Sequence, residues 1–458
     1  RCCSSAASDV YKRQPEIFSH SIGYVGRPNE DELDEIYELK SLNTKINFTY
    51  TNQLIVGKTG LEFVYEDILS GEFGNNLREV DARGKTLAEK ISSESKVGNN
   101  LYTSLDLKSH QAAHKALNNR KGAVVAIDIN DGSIVTLFSS PTFSTNQLAN
   151  GILQKDFDEL LLSEEKPFFN RALRGRYPPA SSIKPAIAMY GIEEGLIDWN
   201  FSIFDEGFFT LPEDGRIYRD WKEGGHGDTN LFKAITQSSN TYFFDLAYRS
   251  DINQLNKHLS SLGFGDKACI DCFEEDQVFV PEPSWKMNKH NFGWFKGDTV
   301  NMGVGQGYLV STPIQLAKYA YIMANKGKFS DLSLKKDLVK SVRSIEFNKF
   351  SNDDWFKLHE SMVNVIEGNT GTARRLREKK NYIVAAKTGT AELVSGDNRE
   401  QYSETRLDDS LRDHALIIAF GPMPNPRYAV SVVVENGESG GSVAGPVAIS
   451  VLNSLIQE

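Results

Sequence analysis

Segments with strand character sit at both ends of one long stretch of this chain, and helical or loop-rich pattern fills the space between them. Residues 123–129 form a continuous apolar run, Asn130-Asp131-Gly132 has hairpin-turn chemistry, and residues 133–138 supply the partner strand. Far downstream, residues 382–387 read as a strand, and residues 415–420 and 428–435 read as another pair around Pro422, Asn425 and Pro426. A helix over residues 446–456 closes the chain. Two strands at the start and three at the end predict one antiparallel five-stranded sheet, flanked by helices on both faces and built from both ends of its domain. That is an α+β fold.

This domain is expected to occupy residues 116–458. Residues 15–115 are polar and mixed, punctuated by Gly57, Gly60, Gly71, Gly74 and Gly84, and read as a separate unit. A chain of 458 residues is too long for one small core. Residues 1–14 (RCCSSAASDVYKRQ) have no apolar period and read as a sequence-assembly artefact or a disordered tail; an artefact would mean that the true N-terminus is missing. The net charge of -10 argues against nucleic acid as a partner, for which a basic face is required. No run of 18 apolar residues and no signal peptide is visible in the given sequence.

Three short motifs follow one another inside the larger domain. They are Ser181-Ser182-Ile183-Lys184, Ser238-Ser239-Asn240 and Lys387-Thr388-Gly389-Thr390. A serine with a lysine one helical turn on, a serine with an asparagine two residues later, and a lysine on a strand of small residues form the set used by serine acyltransferases that β-lactams inhibit. Singly, each motif is weak. Ser93 with Lys96 and Ser333 with Lys336 also have the first spacing, Ser144 with Asn146 the second, and Lys58-Thr59-Gly60 the third. Context separates them. Ser181 follows Tyr177-Pro178-Pro179-Ala180 and opens an apolar helical stretch, with Pro185 tolerable because it falls in the first turn. Lys58-Thr59-Gly60 precedes every candidate nucleophile.

On these motifs and several further stretches the chain resembles the class B penicillin-binding proteins, of the penicillin-binding protein 2 type. The stretches are residues 22–26, Gly60-Leu61-Glu62, Tyr218-Arg219-Asp220-Trp221-Lys222 with Gly225-His226-Gly227, Gly303-Val304-Gly305-Gln306-Gly307-Tyr308 and Leu411-Arg412-Asp413-His414. The similarity runs from about residue 22 to the end. It implies the serine transpeptidase fold with an elongated, dimerisation-type N-terminal pedestal, of which residues 15–115 are a part. It implies an elongation-specific peptidoglycan D,D-transpeptidase that binds stem peptides ending in D-Ala-D-Ala and is a target of β-lactams. A SEDS-family glycosyltransferase and elongation scaffold proteins are the implied partners. The implied location is the inner membrane, through a single N-terminal anchor that this sequence lacks, with the catalytic domain in the periplasm.

The chemistry follows from the residue types. A serine hydroxyl attacks only when a base takes its proton. Lys184 can do so only if neutral, through burial and a neighbouring cation such as Lys387. Ser238 is placed to relay a proton to the leaving amine, and Asn240 to hold Lys184 and the substrate amide. Lys387, with the hydroxyls of Thr388 and Thr390, suits a terminal carboxylate. Gly389 lets a backbone approach closely. The resemblance implies an oxyanion hole from the backbone N–H groups of Ser181 and Thr390.

The reaction requires no cofactor. The resemblance also raises a structural zinc held by Asp205, Asp220 and His226, but the position of the relatives' cysteine is Ser239, a poor ligand. The competing reading is that these residues hydrogen-bond loop backbone. Cys269 and Cys272 read as an incidental or structural pair, with a local disulfide as the alternative in an exported domain. The rival functions are a serine β-lactamase, for which no deacylating carboxylate can be assigned, and a β-lactam-binding sensor.

Overall fold

The computed structural model describes residues 16–33, 54–71, 74–338, 340–393 and 411–457. Residues 1–14, read above as artefact or tail, lie outside the described residues. Five strands form the central sheet: β1 (Gly122–Asp128), β2 (Ser133–Ser140), β3 (Ala385–Ala391), β4 (His414–Gly421) and β5 (Tyr428–Val434). Their spatial order is β3-β4-β5-β1-β2 and every pairing is antiparallel. The two ends of the domain meet where β5 pairs with β1, with Val434 opposite Gly122 and Tyr428 opposite Asp128.

The apolar runs are continuous because both sheet faces are covered. Val124, Ala126, Val430 and Val432 enter one core with Leu117 and Leu452, from helices α1 (Leu107–Leu117) and α7 (Gly445–Ile456). Val125, Ile127, Ile418 and Phe420 enter the other with residues of α2 (Lys184–Glu193), α3 (Leu231–Gln237), α4 (Asn240–Arg249), α5 (Pro313–Ala324) and α6 (Asn352–Glu367). Asp106 starts α1 by accepting the Ser109 N–H at 2.6 Å. This helix spans the expected division near residue 115, and its Leu117 is fully buried against the catalytic sheet's core. Ile17 and Phe18 enter the same core.

One strand differs from expectation. The sequence places a strand at residues 382–387 with the third motif at its end, whereas β3 runs from Ala385 to Ala391 and carries the motif in its middle. Lys387 to Thr390 are too small and polar to show an apolar period. Pairing with β4 makes this segment a strand: Lys387 faces Ile418 and Ala391 faces His414.

In the N-terminal unit, Asn75–Val80 and Thr86–Ser93 form an antiparallel hairpin. Tyr65 OH donates to Asp271 Oδ2 at 3.0 Å, and the Phe63 ring stacks on Phe273 with centroids 4.3 Å apart. The Asp271 loop contains Cys269 and Cys272, which are joined in a disulfide with sulfurs 2.02 Å apart. Of the two readings of this pair, the local disulfide is the one found.

Candidate active site

Ser181 lies in a 3₁₀ turn, Ala180–Ile183, that leads directly into α2. The turn has an unusual entry: Ala180 takes a left-handed φ of 49°. Its N–H donates to Gly305 O at 2.8 Å. A Cβ on Gly305 would lie 2.3 Å from Ala180 O, so only glycine permits this contact. The Gly303–Gly307 segment thus braces the serine turn from behind, a role its sequence did not reveal. Gln306 continues across the site and donates to Thr390 O at 3.2 Å.

The three motifs converge on one hydroxyl. Ser238 Oγ accepts a hydrogen bond from Lys387 Nζ at 2.8 Å and from Lys184 Nζ at 3.3 Å. Lys184 Nζ also donates to Ser238 O at 2.8 Å and to Asn240 Oδ1 at 2.7 Å. Both lysines are fully buried. Ser238 sits at the junction of α3 and α4 with a left-handed φ of 60°. That conformation turns its carbonyl, as well as its hydroxyl, toward Lys184. Ser181 stands one turn before Lys184 and is half-buried.

Burial drives the electrostatics. It pushes the Lys184 amine down to about 7, against the opposing pull of the Asp220 and Asp205 carboxylates. Burial, reinforced by the charge of Lys184, also holds Lys387 well below the ordinary lysine range. Two buried amines sharing one hydroxyl favour a site that carries less than two full charges.

On β3, Lys387 and Gly389 point to the face that bears Ser238 and the serine turn. A Cβ on Gly389 would lie 3.1 Å from Pro179 O and 3.4 Å from Ser182 N. The glycine therefore brings the strand against the serine turn itself, in addition to the approach to substrate expected of it. Thr388 points the other way and shares a hydrogen bond of 2.7 Å with Thr372 Oγ1. Thr390 is half-buried beside them.

Asp205, Asp220 and His226 come together as a buried cluster whose ligand atoms all lie within 4.8 Å of one another. His226 Nε2 is 3.3 Å from Asp220 Oδ1. Asp220 Oδ2 accepts the Asn240 and Thr241 N–H groups at 2.5 and 2.9 Å, which caps α4. Ser239 Oγ donates to Asp205 Oδ2 at 2.7 Å and accepts the Tyr242 N–H at 3.2 Å. Two carboxylates and an imidazole are ligand types that suit zinc, and the Ser239 hydroxyl beside Asp205 is a poor fourth donor. Through these hydrogen bonds the cluster holds α4, and with it Asn240.

Sequence reasoning assigned no role to Trp221, although the structure brings it to the site. Its Nε1–H donates to Ser238 O at 3.1 Å, the same carbonyl that receives Lys184 Nζ. Its ring packs on His226 and remains 55% exposed at the cleft. Three of the competing motif matches have structural roles. Ser144 caps a short helix, Ser333 Oγ donates to Lys335 O, and Lys58 pairs with Glu32 in the N-terminal unit.

Comparison with known proteins agrees with this geometry. The penicillin binding protein transpeptidase domain matches residues 122–453, and the penicillin-binding protein dimerisation domain matches residues 9–103. The chain belongs to the penicillin-binding protein transpeptidase family. It is similar to the peptidoglycan D,D-transpeptidase MrdA of Acinetobacter baumannii, with 39% identity over 95% of this chain and 64% of the relative. The Haemophilus influenzae protein of the same name is 36% identical over 97% of this chain and 68% of the relative. Among solved structures, Pseudomonas aeruginosa PBP2 in complex with WCK 5153 superposes with a TM-score of 0.82 at 35% identity, covering 97% of this chain and 89% of that one. Helicobacter pylori PBP2 in complex with MreC gives 0.84 at 30% identity, covering 96% and 77%. The chain spans about two thirds of the length of the two curated relatives. Its five-stranded sheet and covering helices are the penicillin-binding transpeptidase fold.

Proposed function

We propose that this chain is the periplasmic part of an elongation-type peptidoglycan D,D-transpeptidase, with Ser181 as nucleophile. The observation that carries the reading is the hydrogen-bonded line Lys184 Nζ–Ser238 Oγ–Lys387 Nζ, which unites all three motifs in a buried site. Losing one proton leaves Lys184 with two N–H groups. Ser238 O and Asn240 Oδ1 can only accept, so they retain both. The lone pair is then left for the hydroxyl side of the site, where it can take the proton of Ser181.

Ser181 Oγ attacks the carbonyl of the penultimate D-alanine, and Lys184 receives the hydroxyl proton. The Ser181 and Thr390 N–H groups hold the resulting oxyanion; one such donor contributes about 3 kcal/mol to the transition state. Collapse passes the proton through Ser238 to the departing D-alanine amine. The acyl ester then transfers to an amine of a neighbouring stem peptide, whose proton returns by the same line. Lys387 answers the terminal carboxylate. Without substrate its charge is disfavoured by burial and by Lys184, and an arriving carboxylate reverses that preference. Substrate binding thereby keeps Lys387 protonated and Lys184 free to act as base.

A zinc ion, if bound, would be held by Asp205, Asp220 and His226 and would serve as a structural cross-link beneath Asn240. A scaffold partner is supported by the Helicobacter pylori PBP2–MreC complex, and a partner that polymerises glycan by a solved peptidoglycan synthase complex that coordinates polymerization and crosslinking, at 25% identity and TM-score 0.79. Membrane anchoring rests on the relatives' family; no helix among the described residues is long and apolar enough to cross a membrane.

Covalent labelling with fluorescent penicillin tests the reading. Ser181→Ala should abolish the label, while Ser93→Ala and Ser333→Ala should leave it. The wild-type label should release slowly; rapid release would make the protein a β-lactamase instead.

A further inference from the structure

Between α6 and β3, residues 368–380 form a short platform that the reaction described above does not use. Its backbone is fixed. Ala373 and Leu376 are buried, and the Ala373 N–H donates to Val365 O at 2.9 Å. A Cβ on Gly371 would lie 2.3 Å from the carbonyl oxygens of both Asn364 and Val365. The platform is tied to two of the motifs. Gln237, the residue before Ser238, donates from Nε2 to Thr370 Oγ1 at 3.2 Å, and Thr372 Oγ1 meets Thr388 Oγ1 at 2.7 Å.

Arg374, Arg375 and Arg377 project from this platform around a cavity of about 440 Å³, lined also by Asn369 and Glu378. Helix capping explains only part of this cluster. Arg377 bonds the Glu367 carbonyl at the end of α6, and Lys380 pairs with the Glu367 carboxylate. Arg374 gives one N–H to Asn369 O at 3.3 Å. Arg375 has no hydrogen-bond or ion-pair partner among the described residues. Two guanidinium groups therefore line the cavity with most of their donors uncommitted, on a chain whose net charge is -10. Planar forks of this kind match a carboxylate in two parallel bonds. Glu378 offsets one of the charges and leaves a net positive lining.

We propose that this cavity is a carboxylate-binding subsite for the acceptor peptide. The inference rests on the transpeptidase reading. The leaving D-alanine carries the carboxylate assigned to Lys387, so the amine that replaces it arrives on the same side of the acyl ester. Gln237, next to Ser238, bonds Thr370 of the platform, and Thr372 ties the platform to Thr388 on the other face of β3, so the platform borders the site at the edge of the sheet. An acceptor with a carboxylate near its amine would be anchored at the arginines while its amine reaches the ester. A rigid platform holds the subsite ready, so little ordering opposes binding.

Equilibrium binding tests the subsite without requiring turnover. The probes are one amine-bearing acidic peptide with free carboxylates and the same peptide with those carboxylates amidated. The wild-type protein should bind the acidic form about tenfold more tightly, as one charge-assisted pair would provide. Added salt should shrink the difference. Arg374→Gln with Arg375→Gln should abolish the preference without lowering the melting temperature. Arg374→Lys with Arg375→Lys keeps the charge but not the fork, and should restore only part of it. Equal binding of the two peptides by the wild type, or a preference that survives the glutamine pair, would overturn the subsite. Penicillin labelling of Ser181, run alongside, reports on the transpeptidase reading separately.

Discussion

Acylation by penicillin should titrate with Lys184. At an ordinary lysine value of 10.5 the amine would be neutral about once in 3000 molecules at pH 7. Burial brings the value to about 7, which makes it neutral in about half of them. Burial therefore contributes about three powers of ten to the availability of the base. The second-order labelling rate, measured by rapid quench from pH 5 to 9, should reach half its plateau near pH 7. It should fall about tenfold per unit below pH 6 and level off above pH 8. Lys184→Arg preserves a cation that cannot deprotonate, so the rate should drop more than about a thousandfold with no recovery toward pH 9. A flat profile between pH 5.5 and 8, or an arginine variant within tenfold of wild type, would refute Lys184 as the base. Stability is linked to the same proton. The folded value lies below the unfolded one, so charging opposes folding: the penalty is complete below pH 7 and is relieved as pH rises toward 10.5. The difference, 10.5 minus about 7, sets it at about 5 kcal/mol. The contribution of Lys184 to melting should therefore become less unfavourable from pH 7 to 9.

Lys387→Ala should slow acylation by carboxylate-bearing β-lactams far more than it lowers the melting temperature; a collapse in melting instead would make Lys387 structural. Trp221→Phe keeps the ring but removes the N–H on Ser238 O, leaving that carbonyl to the Lys184 ammonium alone. The acid limb of the acylation profile should move up by roughly half a pH unit, the worth of a modest hydrogen bond, and an unmoved limb would exclude the coupling. Ser239→Cys should raise zinc retention in elemental analysis, and His226→Ala should abolish it, because thiolate donates strongly to zinc and a hydroxyl does not. Absence of zinc from both wild type and the cysteine variant, with melting unchanged by chelator, would leave the cluster as a hydrogen-bonded brace.

The parts legible in the sequence were those with a local signature. The hairpin at residues 122–140 combines an apolar run with Asn-Asp-Gly, and the C-terminal helix has an uninterrupted apolar pattern. The motif set was legible because its order and the Pro178-Pro179 context are local facts. The span of β3 was not, since pairing with β4 makes a strand of residues that carry no strand pattern. The bracing of Ala180 by Gly305 was equally hidden: it joins positions 125 apart through a backbone contact that leaves no side-chain trace. Trp221 was noticed only as part of a family-like stretch, because its function depends on which carbonyl its N–H meets. The Asp205–Ser239 bond shows the same limit. Sequence comparison marked Ser239 as a lost ligand, whereas the structure gives its hydroxyl two hydrogen bonds.

The site also ties the proposed chemistry to folding in this chain. Lys184 comes from α2, Ser238 from the α3–α4 junction and Lys387 from β3, with separations of 54 residues for the first pair and 149 for the second. Neither buried amine has a favourable environment until the other two elements are in place. An unpartnered buried ammonium is costly, and the groups that relieve the cost are the same Ser238 and Asn240 atoms that serve the proposed reaction. Two of the backbone positions that aim these groups, Ala180 and Ser238, are held in left-handed conformations that lack glycine's freedom. Gly305 holds the first through a backbone contact, and Trp221, through its indole N–H, supports the carbonyl of the second. A partly folded chain would thus retain strand and helix content while losing the geometry around Ser238. Loss of penicillin labelling should accordingly precede loss of secondary structure as denaturant rises, since the labelling atoms need three separate elements to stay aligned.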